Sequence, residues 1–151
     1  TKIKKIKSMI PNCCIGVDVI VGFPSESEQD FLKTYNFLES LEISYLHVFS
    51  YSERENTKAI FINNKIPESI KQDRRKTLVS LSDNKRDSFI KSNLGKNSNI
   101  LFESFERGYV SGLTENYIRV HVPEDKKLIN QIHSVKLMDY SSNIVLGDVL
   151  H

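Results

Sequence analysis

The sequence of 151 residues predicts an α/β segment, then a long basic helix, then a small all-β barrel or sandwich. Three observations carry this. A β-branched run at residues 15–21, an amphipathic stretch over 28–41 and a second strand-like run at 44–50 make a βαβ unit. The positive charge is concentrated in the middle: residues 65–95 hold 8 basic and 4 acidic side chains, against 7 and 8 in residues 1–64 and 6 and 7 in residues 96–151. After Gly95 the apolar period shortens from helical to alternating. With 39% apolar and 26% charged residues the chain is globular in composition. It carries no run of eighteen apolar residues and no signal-peptide layout at its start, so no membrane partner and a cytoplasmic location are expected.

Taken in order, Ile3, Ile6 and Ile10 lie at helical spacing with no capping residue ahead of them. The chain is therefore expected to start inside a helix, as a fragment of a longer protein. Cys13 and Cys14 are adjacent, which fits neither a metal knuckle nor a disulfide framework, so both are expected to pack and no metal site is expected. Residues 15–21, IGVDVIV, read as a parallel strand covered on both faces, with Asp18 as its one exception. Gly22, Phe23 and Pro24 break it, and Ser25 with Glu28 reads as the capping box of a helix carrying Phe31, Tyr35, Leu38 and Leu41. The carboxylates of Glu26 and Glu28 suit the positive end of that helix. Residues 44–50 form the second strand, on which His47 shares a face with Tyr45 and Phe49 and reads as a core histidine.

Ligands of open α/β sheets and of barrels bind at the C-terminal strand ends, so the loops at residues 22–27 and 51–59 are the ones that matter. Pro67 opens a long helix that Gly95 stops. On it Ile70, Leu78, Leu81 and Phe89 share one side, leaving Lys71, Arg74, Arg75, Lys85 and Arg86 to the rest, either facing phosphate or merely solvated. Residues 99–103, 108–113, 117–122, 134–138 and 144–150 read as short strands separated by turns. Three segments follow: 1–64, 65–95 and 96–151. His121, His133 and His151 have no mutual spacing that suggests a metal.

Three stretches resemble a known family. DVIVGFPSESEQDF, at residues 18–31, resembles the fifth strand and following loop of radical S-adenosylmethionine (SAM) enzymes, which implies a partial TIM-like barrel. SYLHVFSYSERENT, at 44–57, resembles the tRNA methylthiotransferases, most closely the branch acting on threonylcarbamoyladenosine beside the anticodon. Here Glu53, Glu55 and Asn56 stand where the family commonly has prolines and a glycine, and Ser25 replaces a usual glycine. GYVSGLTENYIRVHVPEDKKLIN, with VKLMD and LGDVL, resembles the TRAM domain, a small OB-like RNA-binding β-barrel.

The resemblance implies SAM contacts by Ile20, Gly22, Phe49 and Tyr51, with Ile20 against adenine and Gly22 allowing close backbone approach. It further implies RNA or substrate contacts by Arg54, Arg74, Arg75, Asn116, Tyr117 and Arg119, through stacking and phosphate binding. The intact enzyme would use SAM and two 4Fe-4S clusters to place a methylthio group on tRNA, with no DNA partner. A C-x-x-x-C-x-x-C run is not in these residues, so this segment alone is expected to be inactive, with no catalytic residue assigned. Two other readings remain: a stand-alone RNA-binding module that kept a barrel remnant, and another radical SAM enzyme sharing the loop.

Overall fold

A computed structural model describes residues 2–123 and 126–150. It divides into two compact units, residues 2–9 with 15–87, and residues 10–14 with 88–150. His151 and the first residue lie outside the described residues.

In the first unit, α1 (Lys2–Met9) precedes β1 (Gly16–Val21), α2 (Glu28–Ser40), β2 (Tyr45–Ser50) and a 3-10 turn at Lys58–Phe61. It also holds most of α3 (Glu68–Lys91). The strands pair in parallel from Gly16↔Tyr45 to Val21↔Ser50, with α2 as the crossover. Their inner face meets α2 and α3 in a core of Val21, Phe31, Leu38, Ile43, Leu46, Leu78 and Leu81.

Ser82 reaches the free edge of β2, where its Oγ accepts from Leu46 N (2.8 Å) and donates to Leu46 O (3.0 Å). That satisfies backbone groups an edge strand otherwise leaves open.

Three expectations are corrected here. β1 is covered on one face only: Val17, Val19 and Val21 turn inward, whereas Ile20 is 58% exposed. An apolar run records what a strand can tolerate, and no described residue of this unit buries its second face. The capping box is Ser27 with Asp30, two residues later than the expected Ser25 with Glu28: Ser27 Oγ accepts from Asp30 N (3.1 Å) and Asp30 Oδ2 accepts from Ser27 N (3.2 Å). Ser25 is held left-handed (φ 68°) by bonds to Asn63 O and Asn64 O, so the chain is still turning there. His47 is exposed, its ring edge-on to Tyr45 at 4.9 Å, because it belongs to the uncovered face.

In the second unit β3 (Asn97–Glu106), β4 (Tyr109–Thr114), β5 (Arg119–Val122), β6 (Ile132–Ser141) and β7 (Ile144–Val149) close into a five-stranded ring. Its order is β3-β4-β5-β7-β6. All pairs are antiparallel except β5 with β7. Register shifts at Phe102/Ser104 and Leu137/Asp139 bend the two long strands, and such bulges add the local twist a closed sheet needs. Ten buried residues fill the ring, Phe102 the largest of those fully enclosed, and Phe89, Ile90 and Leu94 pack against them. α3 ends at Lys91, four residues before the expected stop: Gly95 takes φ 79° and its N–H donates to Leu137 O (2.7 Å), so it turns the chain into β3 and does not cap the helix.

Candidate functional site

The C-terminal ends of β1 and β2 bound a concavity of about 600 Å³. It brings together four of the residues singled out from the sequence: Ile20, Phe49, Tyr51 and Arg54. Ile20 and Phe49 are register partners on the uncovered face, both more than half exposed, and make an apolar wall. Tyr51 is fixed by its backbone, with its N–H on Val21 O (2.8 Å) and its carbonyl accepting from Lys71 Nζ (3.2 Å). Its ring stands edge-on to Phe23 at 5.2 Å, and its hydroxyl is buried without a hydrogen-bond partner. Arg54 lies at the exposed rim, where Thr57 Oγ1 donates to its carbonyl (2.8 Å). Asp18 lines the same space opposite His47 in register. Its signal was the lone carboxylate inside an apolar strand, read above only as an exception.

Gly22 does not line this concavity. A Cβ there would come within 2.4 Å of Lys71 Cγ, its φ is 77°, and its N–H donates to Glu26 Oε2 (2.8 Å). Its smallness serves the packing of α3 and the turn.

Arg74 is turned inward, contrary to its place on the polar side of the helix. Only 6% of its side chain is exposed, and the guanidinium meets Glu26 Oε2 at 2.6 Å and Glu28 Oε2 at 3.1 Å, over the Phe31 ring. Glu26 and Glu28 are thus ion-pair partners of Arg74, where sequence reasoning made them dipole caps. Lys85 donates to Glu39 O (2.9 Å) and Leu41 O (2.7 Å), serving the orphan carbonyls at the end of α2. Burial holds its pKa below the ordinary lysine value, with Glu39 opposing. Much of the middle segment's charge is therefore used internally, while Arg75 and Arg86 stay exposed.

On the closed sheet Asn116 is a tether. Its Nδ2 donates to Asn12 O (3.0 Å) and Asn93 Oδ1 (3.1 Å), and its Oδ1 accepts from Thr114 Oγ1 (2.6 Å). Tyr117 is 76% exposed with φ 64°, and Arg119 is exposed, 3.5 Å from Glu103. Among the described residues no group of three or more His, Cys, Asp or Glu could hold a metal ion, and no helix is long and apolar enough to cross a membrane.

No protein-family model matches the sequence. Curated proteins do. The chain is 47% identical over 110 residues to a threonylcarbamoyladenosine tRNA methylthiotransferase of Aquifex aeolicus, covering 73% of the chain and 26% of that protein. It is 34% identical over 153 aligned positions to a tRNA-2-methylthio-N(6)-dimethylallyladenosine synthase of Protochlamydia amoebophila, covering 98% of the chain and 34% of that protein. A threonylcarbamoyladenosine tRNA methylthiotransferase of Bacillus subtilis is 32% identical over 142 residues, 91% of the chain and 32% of that protein. The chain thus spans about a third or less of the length of these relatives.

Proposed function

Since this chain belongs to the radical SAM tRNA methylthiotransferase family, we propose that it is part of an enzyme that adds a methylthio group to threonylcarbamoyladenosine beside the tRNA anticodon. The observation that carries this reading is the convergence of Ile20, Phe49, Tyr51 and Arg54 on one concavity at the strand ends. Its 600 Å³ lies within the ordinary range of small-molecule sites. The site fits SAM in that the exposed Ile20 and Phe49 wall suits a flat adenine. Bound there, SAM would supply the methyl group and, on receiving an electron from a cluster held outside this segment, the radical. Ile20 and Phe49 orient it and exclude water, and Arg54 at the rim holds an anionic group of cofactor or substrate. The 4Fe-4S clusters do not fit this segment, whose only cysteines are adjacent, and their ligands belong to the remainder of the protein.

In this reading the three segments are the end of a radical SAM barrel, a linker helix and a TRAM domain that binds tRNA. The closed ring with one parallel pair supports the OB-like assignment. Exposed Arg75 on the linker helix and exposed Tyr117 and Arg119 on the TRAM domain are the RNA contacts, whereas Arg74 is paired inward with Glu26 and Glu28 and Asn116 tethers the turn before Tyr117. The 47% identity to a threonylcarbamoyladenosine enzyme favours that substrate, and the match over 98% of the chain supports a second reading, dimethylallyladenosine.

A chimera tests this: residues 1–151 replace the matching segment of the Aquifex relative, and tRNA nucleosides from cells carrying it are analysed by mass. Methylthiolated threonylcarbamoyladenosine is expected. Methylthio groups only on dimethylallyladenosine would select the second reading, and a folded chimera that modifies neither would overturn both.

A further inference from the structure

The second unit carries a smaller concavity, from whose lining the reading above takes only Tyr117 as an RNA contact. It measures about 310 Å³, and its lining includes Asn12, Lys96, Asn97, Ser98, Glu115 and Tyr117. Tyr117 is the unusual member. A bulky residue with positive φ is strained, and such strain persists only where surrounding bonds impose it. Those bonds are present. Tyr117 N donates to Thr114 O (3.0 Å), Ile118 N donates to Thr114 Oγ1 (2.9 Å), and Asn116 is tied to Thr114, Asn12 and Asn93. Burial does not explain the arrangement, because the ring it projects is 76% exposed.

The rest of the lining indicates what the ring is for. Lys96 is engaged by Asn12 Oδ1 (3.0 Å) and Glu115 by Asn99 Nδ2 (3.0 Å), so one cation and one carboxylate balance and a phosphate gains little. The Asn97 amide, on the outward face of β3, makes no side-chain hydrogen bond among the described residues, leaving donors and an acceptor at the wall. A neutral, flat ligand with a hydrogen-bonding edge fits this chemistry. The volume is near the lower limit for a ligand site, enough for one ring system and not for a duplex.

We propose that this concavity takes a single unpaired nucleobase, stacked on Tyr117 and met at its edge by the Asn97 amide. The inference rests on the tRNA reading above and adds the point at which one base is gripped, since RNA is read mainly through unpaired bases on aromatic rings.

The test titrates the whole chain into a short single-stranded oligoribonucleotide carrying one 2-aminopurine, with an RNA duplex as comparison. Binding should quench the fluorophore and prefer the single strand. Tyr117→Phe should bind within about twofold of the parent, whereas Tyr117→Asn should bind roughly 5- to 150-fold more weakly at an unchanged salt slope. Asn tolerates positive φ, so that variant should melt no lower than the parent. Unchanged binding by Tyr117→Asn, equal affinity for duplex, or a binding loss accompanied by a lower melting temperature would each overturn the base site while leaving tRNA binding intact. Failure of the parent to bind any RNA would overturn the tRNA reading itself.

Discussion

Arg74 and Arg75 are neighbours on α3 with opposite roles, and the difference is one helical step. Arg74 points at Glu26 and Glu28, Arg75 at solvent. Removing one partner of a buried pair leaves the other charge unpaired, so Arg74→Gln should cost on the order of 3 kcal/mol. Arg75→Gln should stay within about 0.5 kcal/mol. Urea unfolding followed by circular dichroism measures both, and similar losses would contradict the assignment. The capping box gives a pH prediction. The hydrogen bond from the Ser27 side chain, with its backbone N–H, holds the Asp30 pKa below its ordinary value of 3.8. A lowered carboxylate pKa stabilises the fold above the unfolded value, and that contribution is lost as pH falls through the folded value. The stability gap between the parent and Asp30→Asn should therefore be constant above 3.8 and shrink below it. A gap that persists in acid would refute this. Ser27→Ala should cost about 1 kcal/mol at neutral pH.

At the scale of elements, what the sequence disclosed was what local chemistry decides. The βαβ unit and the change of period after residue 95 are each set by nearby residues, and the structure places strands and helix within a few residues of expectation. That Ile20, Phe49, Tyr51 and Arg54 share one concavity was reached through the family resemblance, since the apolar run of β1 by itself suggested a strand covered on both faces. What was hidden depends on tertiary partners. β3 and β6 run ten residues each, longer than their apolar cores at 99–103 and 134–138, since each continues past a bulge to pair with two neighbours. Arg74, Ser82 and Lys85 look like solvated helix residues until the acceptors facing them are known. Ring closure also depends on close approach at Gly112, where a Cβ would fall 2.0 Å from Leu101 O. Backbone cannot yield as a side chain can, so Gly112→Ala should destabilise by about 1–3 kcal/mol or more. Gly108→Ala tests a different cost, because no atom lies within 4 Å of its added Cβ and only its φ of 84° opposes the change. Thermal melts of the two variants should therefore separate steric from conformational loss, with Gly112→Ala the lower.

For the molecule as a whole, the uneven charge is the feature that sequence and structure describe differently. Residues 65–95 hold an excess of four positive charges, yet Lys71, Arg74 and Lys85 are bonded to acceptors of their own unit. On the proposed tRNA reading, phosphate contacts fall to the exposed cations, and RNA affinity should depend on salt less steeply than the charge count alone suggests. The most direct measurement of the central claim is the salt dependence with which the 151-residue chain binds an anticodon stem-loop bearing threonylcarbamoyladenosine, read by fluorescence anisotropy. Binding should weaken linearly with the logarithm of salt concentration, and replacing Arg75, Arg86 and Arg119 together by Gln should reduce the slope by about 2–3 while leaving the fold intact. Absence of binding at low salt, or a slope untouched by the triple variant, would contradict it.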